Sequence, residues 1–461
     1  QVDEDWEEYV KQQEKKEQEF FKQQDELLAK YAAEMDKYIE KLDKEWQNYL
    51  EKKFKEFELY KESQPSIGPK PEEMPEADEN ARAENESIET KEVKKPVKKP
   101  AEAVKPILQK TEPKDFATSN QYIDFYGTDL SIDYDRSFLN DFPDNIAEHI
   151  ISEKYGEMSK TNYNHLLEQL MTTTNEMNLN DWGYYLLVKK VSEEITGDDA
   201  AAVFMQWFLL IKSNYRARIA YKGDQLYLLL PTANNIYDVP FFTFDGLKYY
   251  LINGDHTNVL TYDKDFPEAT KVFDLNIDRP LNTGTEQKTR KVTFTYIGEP
   301  FEFDVHFNQN VIDYYQDFPL SDAIVYFDAT VSANTKQSLK EGLQPIIDGK
   351  SEKEAAAILL RFVQTAFEYK TDQDQFGKEK FFFADELFNY PYSDCEDRSV
   401  LFAYLVKELM QLDVVGVGYS GHMATAVKFN EEVDGQYINF EGEKYTICDP
   451  TYINAPVGMT M

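Results

Sequence analysis

Three residue types that together support thiol catalysis occur in order near the end of the chain. Cys395 starts an apolar run of helical character, His422 follows a Gly-containing turn, and Asp449 ends an apolar segment. In thiol catalysis an imidazole takes the thiol proton and later protonates the leaving group, while a carboxylate fixes the imidazole tautomer. The residue types therefore suit acyl chemistry at a sulfur atom.

The nucleophile would need a helix start around it. Asp394 precedes Cys395, and the apolar residues that follow predict a helix beginning at the thiol. A thiol in the first turn feels the positive end of the helix dipole, which favours the thiolate. The carboxylates of Asp394, Glu396 and Asp397 oppose this effect, so a basic partner is required.

The other two residues would need neighbouring strands. The segment 414–418 predicts a strand that leads through a turn to His422, and 423–429 alternates as a second strand. Period-two alternation puts His422, Ala424 and Ala426 on one face. A third strand ends at Asp449, where Pro450 forces the chain out of regular pairing.

These segments resemble a known family. The blocks 392–399, 421–422 and 448–451 are similar to the three signature blocks of the transglutaminase-like superfamily, and more narrowly to those of bacterial cell-envelope members, which read Asp-Cys-Glu-Asp, Gly-His and Asp-Pro-Thr. The resemblance covers about residues 350–461. It implies a papain-like α+β core with Cys395 as nucleophile, His422 as base and Asp449 as orienting acid. The family includes acyl transferases, peptidases and inactive relatives.

One oxyanion-hole residue of the family has no counterpart in this sequence. Members with transglutaminase activity use a Trp upstream of the nucleophile, whereas no Trp follows Trp207 before the end of this chain. The backbone N–H of Cys395 together with the side chain of Tyr369 or Gln375 could replace it. This departure favours hydrolysis over cross-linking.

Cysteine and histidine counts indicate neither a disulfide framework nor a metal site. With two cysteines, a zinc site built from cysteines is excluded. Cys448 alternates with Asp449 and is predicted to face the core, and a disulfide to Cys395 is disfavoured because it would remove the nucleophile. His149, His165 and His256 have no second ligand nearby. We therefore expect no metal and no cofactor.

Composition limits the partners. The chain has 461 residues, and 85 acidic against 50 basic side chains give a net charge of −35. This charge repels phosphate backbones, so nucleic acid is a poor partner. No apolar run approaches the roughly twenty residues of a membrane-spanning helix. The chain begins at Gln1 without a leader, which fits a processed secretory protein or a trimmed one, and with the resemblance we expect a secreted, periplasmic or cell-envelope location.

Two N-terminal segments differ from the rest. Residues 1–62 lack Pro and Gly from Asp3 to about Tyr60 and carry apolar residues at helical spacing, which predicts one long helix. It is either a stalk that self-associates as a coiled coil or a helix lying against the globular part. Residues 63–114 are rich in Pro, Lys and Glu, and we expect an extended tether that buries no core.

The remainder is predicted to be globular, with the transglutaminase-like domain at 336–461. Sliding the chain by 198 positions aligns an upstream region with that domain, placing Gly197 at Cys395 and Asp224 at His422. Residues 115–265 are therefore either a degenerate copy without the chemistry or an ordinary helix-strand unit. Residues 266–335 are predicted to be a small β region. Within these domains, a capping box starting at Ser351 predicts a helix, and alternation over 301–307 predicts a strand.

One leading functional hypothesis and two alternatives remain open. The leading hypothesis is a thiol-dependent enzyme that hydrolyses or transfers an acyl group of a peptide or protein substrate through a Cys395 thioester. The alternative is a non-catalytic module that holds a peptide or a cell-envelope polymer, or a structural protein that acts through its N-terminal helix. The complete triad favours the first, while the acidic helix start and the missing Trp favour the others.

Overall fold

The structure is a computed structural model, and it describes residues 2–50, 55–56, 60–61, 70, 73–78, 81–90, 92–94, 105–108, 117–138, 142–143, 145–254, 258–261, 265–419 and 421–461. Helices and sheets are mixed, which confirms the predicted α+β class. Among the described residues, no helix is both long enough and apolar enough to cross a lipid bilayer.

Both kinds of element occur along the chain. The helices are α1 (Val2–Leu50), α2 (Glu148–Met158), α3 (Tyr163–Glu176), α4 (Asp181–Thr196), α5 (Asp199–Lys212), α6 (Gln309–Gln316), α7 (Ala323–Asp328), α8 (Ala333–Ile347), α9 (Glu352–Thr365), α10 (Asp372–Phe376) and α11 (Cys395–Leu405), which continues as a π-helical turn over Val406–Met410. The strands are β1 (Lys55–Glu56), β2 (Tyr60–Lys61), β3 (Glu92–Lys94), β4 (Thr118–Phe125), β5 (Thr128–Asp135), β6 (Arg218–Lys222), β7 (Gln225–Pro231), β8 (Pro240–Phe244), β9 (Leu247–Leu251), β10 (Leu260–Thr261), β11 (Gln287–Tyr296), β12 (Glu299–Asn308), β13 (Glu368–Tyr369), β14 (Tyr392–Ser393), β15 (Asp413–Tyr419), β16 (His422–Lys428), β17 (Tyr437–Phe440) and β18 (Glu443–Cys448).

The C-terminal sheet carries two of the three predicted catalytic residues. Its strands lie in the order β17-β18-β16-β15-β3, and each neighbouring pair is antiparallel. Met423 and Val427 of β16 belong to the main core, together with residues of α11. The opposite face carries a separate apolar cluster that includes Val417 and Ile447. The sheet therefore has an inner face toward α11 and an outer face.

An upstream sheet has the same strand order. Five of its strands run β10-β6-β7-β9-β8, which matches β3-β15-β16-β18-β17 with every neighbouring pair antiparallel. Helix α5 precedes β6 as α11 precedes β15, and each helix begins after an Asp, at Asp198 and at Asp394. The likeness of the two regions thus extends from a few residues to the order and direction of the strands, although the edge strand β10 follows the other strands in the chain and β3 precedes them.

The strand register corrects one position of the predicted alignment. The β15–β16 hairpin pairs Tyr419 with His422, and the β6–β7 hairpin pairs Lys222 with Gln225, each across a two-residue loop. Gln225 therefore stands at the position of His422, and the assignment of Asp224 to that position was wrong. The error arose because the offset of 198 positions was applied without a gap to both the helix and the strands, whereas the strands match at an offset of 197 positions.

The same comparison locates the counterpart of the orienting acid. The β7–β9 pair Leu229–Leu251 matches the β16–β18 pair Ala426–Ile447. Two residues beyond Leu251 lies Asn253, whose side chain bonds the backbone N–H of Leu228 and the backbone carbonyl of residue 226. At the matched strand positions the upstream region therefore has the amides of Gln225 and Asn253 where the C-terminal region has an imidazole and a carboxylate.

Helix α1 ends before the predicted boundary. The sequence predicts helix to about Tyr60, but α1 ends at Leu50, and β1 and β2 pair with β10 and β8 of the upstream sheet. The apolar stripe changes phase after Tyr49, and a stripe that changes phase cannot keep one helix face against a single surface. The helical prediction over 51–60 was therefore wrong for the described residues 55–56 and 60–61.

The last turns of α1 pack on the upstream domain. Trp46 is only 6% exposed and lies against aromatic rings that include Tyr155 and Trp207. Further up the helix, Tyr31 and Tyr38 are 60% and 55% exposed. This end of α1 thus lies against the globular part, while a stalk or self-association through the exposed stripe stays a prediction.

The linker prediction was wrong for the part that the structure describes. We call residues 70, 73–78, 81–90 and 92–94 the strap. Ala77 is buried, β3 extends the C-terminal sheet beside β15, and Ile88 and Val93 pack on the outer face of that sheet. Prolines exclude a helix but not an extended chain, whose free N–H and C=O groups can pair with a sheet edge.

The local predictions between the two sheets are mostly confirmed. Ser351 accepts a hydrogen bond from the backbone N–H of Glu354 at the start of α9, and β12 contains the predicted 301–307 strand. The prediction of a small β region at 266–335 is confirmed only in part, because the β11–β12 hairpin is followed by helices α6 and α7. Asn308 caps α6 by accepting from the N–H of Asn310, which ends the alternating pattern.

Candidate active site

The predicted nucleophile lies at the first residue of α11. Cys395 is fully buried, and the side chain of Asp397 accepts a hydrogen bond from the backbone N–H of Asp394 at 3.1 Å. One turn further, Ser399 donates to the backbone carbonyl of Met423 at 3.1 Å. Because Met423 directly follows His422, this bond holds the face of α11 that bears the thiol against the start of β16.

The imidazole and the carboxylate form a buried pair. His422 Nε2 and Asp449 Oδ2 are 2.8 Å apart, and their side chains are 5% and 0% exposed. Thr460 donates to the same oxygen at 2.7 Å, and the N–H of Thr451 donates to the other at 3.0 Å. Burial opposes ionisation of Asp449, but His422 and these donors outweigh it and lower the pKa of the carboxyl below its usual value.

The tautomer of His422 follows from this pairing. An ionised Asp449 accepts only, so in the neutral imidazole Nε2 carries the proton and Nδ1 is left as the acceptor. Nδ1 is buried and has no hydrogen-bond partner among the described residues. The Tyr419 ring lies nearly parallel to the imidazole, with centroids 6.1 Å apart and an interplanar angle of 16°. The imidazole is thus oriented with its proton-accepting nitrogen available.

The expected bond between thiol and imidazole is not formed. Cys395 Sγ instead donates to Glu396 Oε2 at 3.0 Å. Burial raises the pKa of the Cys395 thiol well above its ordinary value, and the carboxylates of Glu396 and Asp394 raise it further. The buried Glu396 carboxyl requires a donor, and the adjacent thiol supplies one.

The strand pleat adds a second reason. His422 is on the same face of β16 as Ala424 and Ala426, as predicted, and Ala426 belongs to the outer cluster. Cys395 belongs to the main core on the inner side. The pleat therefore assigns His422 to the outer side of β16, whereas Cys395 lies on the inner side.

A lysine of the strap lies beside Cys395, the predicted nucleophile, and no sequence pattern predicts this contact. Lys70 Nζ is 2.8 Å from Asp394 and 2.5 Å from Glu379, and it also bonds Glu396 and lies 3.7 Å from Asp372. Burial disfavours its charge, but Glu396 and Asp394 outweigh burial and raise the pKa of Lys70. Sequence reasoning required a basic group near these carboxylates but assigned that role to His422 alone. Because 324 residues separate Lys70 from Asp394, no local sequence pattern indicates that they pair.

The four carboxyl groups around Lys70 form what we call the acidic pocket. Burial is the main cause that raises the pKa of Asp372 to about 8, of Glu379 to about 7 and of Asp394 to about 6, and repulsion among the carboxylates adds to it. Asp372, Asp394 and Glu396 offer oxygen atoms within 4.8 Å of one another. Their shared cation in the structure is the Lys70 ammonium.

These pKa values predict how stability depends on pH. A carboxyl whose pKa is raised by folding binds its proton more tightly in the folded state than in the unfolded state. The stability that Asp372 contributes to the folded state is therefore fully present below pH about 4 and is lost as pH rises toward about 8. Asp372→Asn removes one such group while keeping an acceptor for the N–H of Lys380. We expect the variant to gain stability relative to the wild type between pH 5 and pH 8, by at most about 1.4 kcal/mol per pH unit. Urea unfolding at both pH values measures this.

A matched substitution outside the pocket separates this effect from a general charge effect. Asp413 is exposed at the start of β15. Asp413→Asn should leave the difference between the two pH values unchanged. A wild-type-like pH dependence for Asp372→Asn would show that Asp372 ionises normally in the folded protein.

The two oxyanion candidates differ in position. Tyr369 lies on β13, whose partner strand β14 leads directly into Asp394, and burial followed by the charges of Cys395 and Asp394 raises its pKa. Gln375 lies on α10, and its side-chain oxygen is buried with no hydrogen-bond partner among the described residues. The electrostatic coupling to Cys395 favours Tyr369 as the neighbour of the nucleophile.

The remaining cysteine and His165 lie apart from the three predicted catalytic residues. Cys395 and Cys448 are both free thiols, and Cys448 is buried on the inner face with the main core, as predicted. His165 Nε2 lies 4.0 Å from an oxygen of Asp133, far along the chain from the triad. His256 lies outside the described residues.

Comparison with known proteins adds no assignment. No protein-family model, no curated protein and no solved structure matches this chain. The resemblance to the transglutaminase-like superfamily therefore depends on the three sequence blocks and their placement.

Proposed function

We propose that this protein is a thiol-dependent acyl-group enzyme that uses Cys395, His422 and Asp449 on a papain-like core. The observation that carries the proposal is the buried hydrogen bond of 2.8 Å between His422 and Asp449, which leaves Nδ1 as an oriented acceptor. The helix start at Cys395, held beside β16 by Ser399, supports the assignment of the nucleophile. The substrate class is a peptide or protein amide.

The proposed reaction conserves protons at each step. In the proposed reaction the Cys395 thiol turns from Glu396 to Nδ1 of His422 and transfers its proton there, and the sulfur attacks the acyl carbon of the amide. The C–N bond breaks, the imidazolium protonates the leaving amine, and a thioester with Cys395 remains. Water activated by His422 then hydrolyses the thioester, or an amine takes up the acyl group. Asp449 stays ionised throughout and holds the imidazole.

A second candidate function is a non-catalytic binding module with the same fold. It is favoured by the bond from Cys395 to Glu396 and by the lack of a thiol–imidazole bond in the structure. In that case the C-terminal domain would hold a peptide or a cell-envelope polymer. A secreted or envelope location and self-association through α1 belong to both versions of the proposal.

The chain contains its own control for a test of reactivity. Cys395 and Cys448 are both fully buried, and burial is the main cause that raises the pKa of both thiols. We would treat the native full-length protein with thiol-directed acyl probes of varied peptide sequence and locate the label by mass spectrometry. The enzyme proposal expects label on Cys395 but not on Cys448, and loss of that label in His422→Ala.

The two candidates give different results in this experiment. An unlabelled Cys395 with every probe, in a protein whose denatured form labels both thiols, would favour the binding module. Equal labelling of both cysteines would indicate general unfolding rather than a catalytic thiol.

A further inference from the structure

The acidic pocket is a built site that holds a cation from a distant part of the chain. Asp372, Glu379, Asp394 and Glu396 surround the Lys70 ammonium, and Lys70 is only 9% exposed. We propose that this pocket is a subsite for an ammonium-bearing side chain of an extended peptide substrate, and that the strap occupies it in cis with Lys70. The inference rests on the proposed function, because it names the substrate class of that same site.

An independent observation shows that the pocket has capacity for a further donor. Asp394 is fully buried, and its Oδ1 has no hydrogen-bond partner among the described residues. Its other oxygen accepts from Lys70 at 2.8 Å and from the N–H of Asp372 at 3.3 Å. An unpartnered buried carboxylate oxygen is costly unless a ligand supplies a donor.

Proximity to the nucleophile makes the pocket part of the active site. Glu396 bonds Lys70 through Oε1 and the Cys395 thiol through Oε2. A cationic side chain in the pocket would therefore place the neighbouring residue of a substrate one carboxyl group away from the sulfur. Recognition of charge at this point would align the peptide for attack by Cys395.

The bound ammonium is recognised rather than consumed. The surrounding carboxylates raise the pKa of Lys70, so its nitrogen stays protonated and has no lone pair for attack. Lys70 thus resembles a charged specificity residue and not an acyl acceptor. Four carboxyl groups around one ammonium, of which at least Asp394 is mostly ionised at neutral pH, would discriminate against a neutral side chain of the same shape.

The course of the strap indicates an extended peptide. Ala77 donates its N–H to the carbonyl of Ile453 at 2.8 Å, and Ile453 donates back to the carbonyl of Pro75 at 2.9 Å. Further along, residues of β3 pair with Gly416–Gly418 of β15. Extended main-chain pairing of this kind is a common way to bind peptides along sheet edges.

The test uses the full-length Lys70→Ala variant, which empties the pocket and retains the strap. We would titrate it with Nα-acetyl-lysine methylamide and with the isosteric Nα-acetyl-norleucine methylamide and measure the heat of binding. The matched control is Lys105→Ala, which removes an exposed lysine of the same linker and leaves the pocket filled.

We expect Lys70→Ala to bind the lysine probe at least about tenfold more tightly than the norleucine probe. The wild type and Lys105→Ala, in which Lys70 fills the pocket, should bind the lysine probe at least about tenfold more weakly than Lys70→Ala does. Equal binding of both probes by Lys70→Ala, or binding of neither, would overturn the proposal. Because binding is read without turnover, Lys70→Ala combined with Cys395→Ala should discriminate equally well, which separates a failed subsite from a failed enzyme.

If Lys70→Ala does not fold, the wild type still tests the inference. A large excess of the lysine probe should compete with Lys70 and speed amide hydrogen exchange in β3, whereas the norleucine probe should not. Identical exchange with both probes would count against the pocket as an ammonium subsite.

Discussion

Asp449→Asn is expected to slow the acylation of Cys395 by about 10³- to 10⁴-fold. The Asn side chain can keep one oxygen facing the N–H groups of Thr451 and Tyr452, which now bond Asp449 Oδ1. Its amide group would then face His422 Nε2 and act as a donor. The imidazole would have to carry its proton on Nδ1, the atom that the mechanism needs as an acceptor. The rate of labelling of Cys395 by the best peptide probe measures this.

Thr460→Val is a milder control that alters the hydrogen bonding of Asp449 Oδ2 without replacing the carboxylate. It removes the 2.7 Å hydrogen bond to Asp449 Oδ2 but leaves the carboxylate and the tautomer of His422 unchanged. A hydrogen bond to a charged group contributes about 1.5–3 kcal/mol, so the loss of rate should stay well below that of Asp449→Asn. If Asp449→Asn labelled as fast as the wild type, the pair of His422 and Asp449 would be structural and the triad proposal would fail.

Local signals allowed much of the C-terminal domain to be predicted. The Asp before Cys395 fixes the helix start, a short Gly-containing turn joins β15 and β16, and Pro450 ends β18. Each feature depends on residues close together in the sequence, where capping, turn geometry and the missing proline N–H act. The same kind of signal located Ser351 at the start of α9.

Distant contacts could not be predicted in the same way. The strap has the composition of a solvated tether, and only the folded structure shows that Asp394, 324 residues away, pairs with Lys70. The thiol–imidazole bond was expected from the types of the residues, yet the sulfur donates to the carboxyl group of the next residue, Glu396. Composition reports the average preference of a segment, whereas one buried charge can decide where that segment lies.

The conformation of α1 gives the other large prediction. Asp43 of α1 pairs with Lys212 of α5, which is completely buried among four aromatic rings. Burial lowers the pKa of Lys212, and Asp43 is the partner that opposes this effect most. Asp43→Leu would leave the ammonium without its partner in an apolar site. We expect a loss of about 3–5 kcal/mol in the free energy of unfolding, measured by urea denaturation.

Two further variants show whether this loss comes from the buried charge. Glu45→Gln breaks an exposed pair with Lys41 on the same helix, and it should cost at most about 1 kcal/mol. Adding Lys212→Met to Asp43→Leu should restore most of the stability, because the unpaired charge is then absent and the aromatic site accepts an apolar chain. If Asp43→Leu instead cost no more than Glu45→Gln, α1 would not be docked at Lys212 in solution, and the free stalk would become the better description of the N-terminal helix.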